Sequence, residues 1–218
     1  LHQLRAETDY TAVDAVVISH FHSDHMLDLV PYRYGLLYGP ASPAKPIPLW
    51  LPPGASRGLA RLAAALENLD EPSYAFWDST FEVREYDPAS DLEVGDLTIS
   101  FAQTQHYVPC HAMRIDALGG GTLFYSADTG AVEPLLSLAA GADVALVEAT
   151  LEAAEPDQYE RGHLTAHEAG LLATKAGVRQ LVLTHLWVER GDHAAIEEAS
   201  RAFDGQISVA KPGMTIEV

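Results

Sequence analysis

The stretch "VVISHFHSDHMLDL", residues 16 to 29, places His20, His22, Asp24 and His25 within six positions, directly after an apolar run of β-forming residues. Imidazoles and a carboxylate at that spacing are nitrogen and oxygen donors for a divalent cation, with no thiolate among them. Three more candidates share the setting, each at the C-terminal end of a strand-like run: His106 after "ISFAQTQ", Asp128 in "FYSADTG" and His185 after "LVLT". Groups that do chemistry in α/β proteins gather where strands end, because the sheet is rigid and the loops leaving it converge. Two divalent ions are expected. His20, His22 and His106 would serve the first, Asp24, His25 and His185 the second, and Asp128 would bridge them. Zinc suits such donors, with manganese or iron as alternatives. A bridged pair roughly 3.5 Å apart lowers the pKa of shared water and clamps a transferring phosphoryl or acyl group, so the chemistry expected is hydrolysis. Any one of these histidines taken singly reads more readily as a satisfied polar residue. The spacing carries the argument.

The elements that must position these groups alternate in type, which predicts an α/β architecture. Strands are expected at 14–19, 48–52, 80–86, 96–104, 111–116, 122–127, 143–148, 180–185, 206–210 and 214–218. The "ALGGG" segment between the fifth and the sixth of these reads as a hairpin turn. Helices are expected at 55–68, 131–139, 166–176 and 193–203. Thr165 and Glu168 form the T-x-x-E capping-box pattern at the start of the third helix. The proline-rich "YGPASPAKPIP" (38–48) reads as a surface loop, so 1–218 is expected to be a single domain. Its aromatic surroundings, Tyr32, Tyr34, Tyr38 and Trp50, suit either a pocket wall or a homodimer interface.

Composition narrows the classes. No stretch approaches 18 uninterrupted apolar residues, and no basic-then-apolar leader opens the chain, so no membrane partner is expected. One cysteine, Cys110, excludes an internal disulfide framework, fits a reducing, cytoplasmic setting and reads as a small buried hydrophobe. The formal charge of −18, from 31 acids against 13 bases, repels polyanions, which disfavours long nucleic acids and favours a small-molecule substrate.

"SHFHSDH" resembles the signature of the metallo-β-lactamase superfamily, and "TQHYVPCHAMRI", "LFYSADTG", "VALVEATL" and "GHLTAHEAG…LVLTHLW" narrow the resemblance to the ribonuclease Z-like branch. Within it, the small bacterial hydrolases described as cyclic-nucleotide phosphodiesterases are the nearest in pattern. The resemblance spans residue 12 to the C-terminus. It implies a four-layer αββα sandwich with metals at one edge, and a hydroxide held by two zinc ions as the nucleophile. Members of the family begin with two or three further strands and a "D-x-G" turn, and Leu1 begins after them, so N-terminal strands are expected to be missing. His163 matches the non-ligand histidine of ribonuclease Z-like enzymes. The resemblance implies that it contacts the scissile phosphate and helps protonate the leaving oxygen, although a surface loop histidine is the bland alternative. Asp24 stands beside His163 as a catalytic candidate as well as a ligand. Glu148 would orient His163 or a ligand, or else cap the turn that follows it. Asp28 would hydrogen-bond a ligand imidazole or sit on a helix surface, and His111 would contact substrate or a ligand or simply pack in a strand. His167 is expected on a helix surface near the pocket, and His2 and His193 on the surface. The acidic partner that ribonuclease Z keeps four residues before the bridging aspartate is replaced here by Phe124.

Substrate follows from what surrounds the metals. Ribonuclease Z enzymes carry a tRNA-gripping arm between the histidine and aspartate matched here by His106 and Asp128, whereas only residues 107 to 127 intervene in this chain. β-Lactam hydrolases usually place a cysteine at the position of Asp128. The expectation is a phosphodiesterase acting on a small phosphodiester such as a cyclic nucleotide. The alternatives are a thioester or lactone hydrolase of the same fold, a tRNA 3′-processing endonuclease lacking its arm, and a non-catalytic metal-binding module.

Overall fold

The computed structural model describes residues 1–41, 43, 45–152 and 161–218, and it divides into two units, Leu1–Asp87 and Pro88–Val218. In the first unit three parallel strands, β1 (Val16–Val17), β2 (Ile47–Leu51) and β3 (Phe81–Glu85), lie in the order β1-β2-β3. Parallel neighbours require crossovers. These are supplied by α2 (Ser23–Met26) and α3 (Leu29–Tyr38) before β2, and by α4 (Ala55–Glu67) and α5 (Ala75–Asp78) before β3; α1 (His2–Glu7) precedes them all. Alternation in "IPLWL" buries Ile47, Leu49 and Leu51 while Pro48 and Trp50 stay half-exposed. The first core forms from these together with Leu29, Leu36, Leu59, Trp77 and Phe81. The buried Trp77 indole is satisfied, its Nε1 donating to Leu59 O at 3.0 Å.

Two features of α4 show how distant residues finish local elements. Its first N–H groups have no capping side chain of their own. The Glu85 carboxylate on β3 accepts from Gly54 N and Ser56 N instead, both at 2.9 Å. Burial pushes that carboxyl up, but its hydrogen bonds with Ser56 and Gly54 outweigh burial and hold it below its ordinary range. Asn68, in the left-handed region at φ 55°, ends the helix.

The second unit is one mixed sheet, in the order β10-β9-β8-β7-β6-β5-β4. Strands β4 (Leu92–Val94), β5 (Leu97–Gln103), β6 (His111–Ala117) and β7 (Thr122–Tyr125) form an antiparallel meander, and β8 (Val144–Glu148), β9 (Gln180–Thr184) and β10 (Gln206–Val209) continue it in parallel. The turn between β6 and β7 runs through Gly119, Gly120 and Gly121 at φ of 101°, 123° and 91°, values that an L side chain rarely adopts. Helices α6 (Pro134–Ala139), α7 (Ala166–Ala176) and α8 (Asp192–Ser200) bury alanine-rich faces with Leu135, Leu164, Leu181 and Leu183. At Gly170 a Cβ would stand 2.5 Å from Ala199 O, so glycine is what lets α7 approach α8.

The capping box predicted at Thr165 is present in both directions: Glu168 N donates to Thr165 Oγ1, and Thr165 N donates to Glu168 Oε2. Several expectations need correction. The strand expected at 14–19 joins its ladder only through Val16 and Val17. Residues 214–218 alternate like a strand but join no ladder among the described residues; Met214 N instead closes a turn on Lys211 O. The helix expected from 131 begins at Pro134, which opens it from the first turn, where a missing N–H costs nothing. The proline-rich segment ends earlier than read, since Ile47 and Pro48 already pair with Phe81 and Glu82. Among the described residues no helix is long and apolar enough to cross a membrane.

Candidate metal centre

In the first unit the predicted motif sits where β1 ends. Ile18 N still donates to Trp50 O at 2.9 Å, and the chain then leaves the sheet through Ser19 and His20, which is fully buried. Tyr86 fixes this exit: its hydroxyl lies 3.2 Å from Ile18 O and 3.3 Å from Ser19 O and donates to that pair of carbonyls. His22, extended at φ −79° and ψ 154°, is the N-cap of α2, so Asp24 and His25 lie in the first turn. The rings converge: His20 lies 4.9 Å from His22 and 4.1 Å from His25 between centroids, and Asp24 Oδ2 lies 3.3 Å from His25 Nε2. Ser19 Oγ is 3.1 Å from His20 Nδ1; with Nδ1 donating to that hydroxyl, Nε2 is the nitrogen that could take a metal. Asp28 is not drawn in. Its carboxylate is 92% exposed on the helical surface, the second of its two expected placements.

In the second unit Asp128 is the meeting point. Its Oδ2 lies 3.7 Å from His106 Nε2 and 3.5 Å from His185 Nε2, and its side chain is 3% exposed. The loop carrying it is stitched to the end of β5. Thr104 Oγ1 and Cys110 Sγ both donate to Asp128 O, at 2.9 and 3.4 Å, and Gly130 N donates to Gln105 O at 2.8 Å. Burial pushes the Cys110 thiol up to about 11, so it packs as a neutral group. Ala127 and His185 are both in the left-handed region, at φ 50° and 57°. Non-glycine residues pay on the order of 1–3 kcal/mol there, and such strain collects where a side chain must be aimed.

The tautomers follow from the partners of the other ring nitrogens. His106 Nδ1 donates to Gly162 O at 2.8 Å, which leaves a lone pair on Nε2. His185 Nδ1 lies 2.7 Å from Thr150 Oγ1, and that hydroxyl is 2.9 Å from Glu148 Oε2. A chain from imidazole N–H to hydroxyl to carboxylate again leaves Nε2 as the electron donor. Two imidazole lone pairs and a carboxylate oxygen therefore face one another, a donor set that fits a divalent cation.

Glu148, 1% exposed at the end of β8, organises the rest. Its Oε1 accepts from Thr129 N at 3.0 Å and lies 2.8 Å from His163 Nδ1, while its Oε2 accepts from Thr150 N at 3.0 Å and from Thr150 Oγ1. Both expected placements of Glu148, beside His163 and against the following turn, are thus occupied at once. The His163 ring packs 5.0 Å from His106 and 5.6 Å from His185. His111 is buried on β6, where burial holds its pKa below the usual imidazole value. Sequence reasoning missed Thr150, Tyr86 and Arg190. The last donates from Nη1 to Ala149 O and Leu151 O, at 2.8 and 2.7 Å, and so clamps the loop that presents Thr150. A Thr two residues after a strand-end acid was the available signal for Thr150, while the other two carry none.

A model of the β-lactamase superfamily domain matches residues 1–186. The chain is 34% identical to the uncharacterized protein ML1173 of Mycobacterium leprae over 209 residues, 93% of this chain and 70% of that one. It is 32% identical to the "Probable metallo-hydrolase YhfI" of Bacillus subtilis over 210 residues, 94% of this chain and 79% of that one. The crystal structure of YhfI matches with a TM-score of 0.80 at 28% identity, covering 98% of this chain and 82% of that one. The ribonuclease Z of Methanothermobacter thermautotrophicus is 42% identical over 100 residues, only 45% of this chain and 33% of that enzyme.

Proposed function

Because the chain belongs to the metallo-β-lactamase superfamily, with its α/β fold, and is a metal-dependent hydrolase by that membership and by its His and Asp ligands, we propose that it hydrolyses a small phosphodiester such as a cyclic nucleotide. The ligand assignment made from the sequence, with zinc as the metal, a small molecule as the partner and a cytoplasmic setting, belongs to this proposal. When bound, the ions supply Lewis acidity toward the phosphate oxygens and a lowered pKa for water. The chain's own residues supply the rest. Asp128 Oδ2 and the Nε2 atoms of His106 and His185 converge on a common centre. Glu148 accepts the Nδ1 proton of His163 and so commits the opposite nitrogen, Nε2, to the substrate. As the imidazolium, His163 delivers its Nε2 proton to the departing alkoxide and is left as the neutral Nδ1–H imidazole held by Glu148, the step that a phosphodiester with a poor leaving group needs most.

The observation that carries this reading is the Glu148–His163 pair, a buried carboxylate against a half-buried imidazole, set beside the strand-end His106 and His185. The short segment between His106 and Asp128 is a plain hairpin with no arm, which together with the charge of −18 supports a small substrate over tRNA. Metal-replete protein is expected to cleave bis-p-nitrophenyl phosphate and cyclic AMP. Inertness toward both, with turnover of thioesters or lactones, refutes the proposal.

A further inference from the structure

Tyr107 follows His106 directly, and the residue is 67% exposed, yet its ring is held in place. Its hydroxyl accepts a hydrogen bond from the backbone N–H of Gly162 at 3.3 Å. Its centroid lies 5.1 Å from that of His106 and 6.0 Å from that of His163. Gly162 permits the approach: a Cβ there would stand 2.8 Å from the Tyr107 ring and 3.0 Å from His106 Nδ1. Burial of apolar area does not explain a large ring left this open to solvent. Its neighbours are a strand-end ligand and the residue assigned to leaving-group protonation.

We propose that Tyr107 is a stacking platform for a flat aromatic substituent of the substrate, the nucleobase of a cyclic nucleotide being the chemical class it fits. The inference rests on the phosphodiesterase reading and narrows it. A base presents a π-face whatever its hydrogen-bonding edge, so one ring fixed in advance recognises it at small entropic cost. Recognition by a π-face also needs no cationic residues, in keeping with a chain that carries 31 acids and 13 bases. A ring 6.0 Å from His163 is within reach of a base one sugar removed from the phosphorus. Tyr107 then determines specificity and transfers no proton.

The test compares cyclic AMP with ribose 3′,5′-cyclic phosphate lacking the base, in metal-loaded wild type, Tyr107→Leu and Tyr107→Phe. Tyr107→Leu is expected to raise KM for cyclic AMP roughly tenfold, with kcat little changed and KM for the abasic diester unaltered. Tyr107→Phe, which keeps the ring, is expected to stay near wild type. An equal loss on both substrates, or a loss in Tyr107→Phe as large as in Tyr107→Leu, overturns the platform, because the hydroxyl's hold on Gly162 would then be what matters. If the wild type hydrolyses neither diester, the phosphodiesterase reading falls separately. The platform is then judged by calorimetric titration with adenosine, and equal affinity in wild type and Tyr107→Leu overturns it.

Discussion

Replacing Glu148 by Gln removes one charge and almost no volume, and the structure sets the cost. Each carboxylate oxygen faces two groups, Oε1 facing Thr129 N and His163 Nδ1, and Oε2 facing Thr150 N and Thr150 Oγ1. A glutamine has one carbonyl oxygen, so its NH₂ must face one of those pairs. His163 answers by exchanging tautomers and Thr150 by turning its hydroxyl, but a main-chain N–H has neither option. In both orientations one main-chain N–H, the buried Thr129 N or the half-buried Thr150 N, loses its acceptor, at up to about 1–3 kcal/mol. In a chain of this size that lowers Tm by roughly 2–12 °C. The larger effect is on catalysis, because His163 loses the anion that holds its ring and stabilises its charged form. A positioned general acid contributes roughly 10²–10⁴-fold, and mainly where the leaving group is poor. The assay is kcat on two metal-loaded variants, Glu148→Gln and His163→Ala, with cyclic AMP and with bis-p-nitrophenyl phosphate. Both variants are expected to lose about a hundredfold on cyclic AMP and less than about tenfold on the p-nitrophenyl ester, whose phenolate departs without a proton. Equal losses on the two substrates, or a Glu148→Gln enzyme of full activity on cyclic AMP, refute the assignment of the pair.

Further outcomes follow from other contacts. Thr150→Val removes the hydroxyl that holds His185 Nδ1, and it should weaken metal retention roughly 10–100-fold, read by metal content after dialysis against graded chelator, with Thr150→Ser restoring it. Thr165→Ala breaks the capping box of α7 at a cost of about 1 kcal/mol, seen as a lower thermal midpoint with unchanged metal content. Burial pushes the Asp116 carboxyl up, but hydrogen bonds from Thr122 and Arg114, with the charge of Arg114, bring it below the ordinary carboxylate value. Stability from a lowered carboxyl is present in full above its unfolded pKa of roughly 4 and is lost as pH falls through the lower folded value. Asp116→Asn should therefore lower the urea midpoint at pH 7 and converge with wild type in strong acid.

Much of the candidate site is legible in the sequence, because each candidate ligand is announced by a local pattern. His20, His106, Asp128 and His185 each follow an apolar run, and a run of that kind ends in a loop wherever its strand ends. The capping box at Thr165 and the triple-glycine turn are readable for the same reason, since their partners lie within a few residues. Short apolar runs are less reliable guides. "DAVVIS" yields only two ladder residues, and "MTIEV" yields none, because alternation reports a two-faced segment and does not supply the neighbouring strand that a ladder requires.

By sequence alone, this protein's chemistry is determined as far as the types of its donor groups and the elements that carry them. The tertiary structure decides which nitrogen of each imidazole is left to work. His106 takes its partner 56 residues away at Gly162, and His185 takes its partner 35 residues away at Thr150. Tyr86 reaches back 68 residues to brace the exit from β1, and Arg190 reaches 41 to hold the loop of Thr150. No period or spacing encodes such contacts. Periodicity records which face of an element is buried, whereas a tautomer is set by a single hydrogen bond to whatever the fold brings alongside.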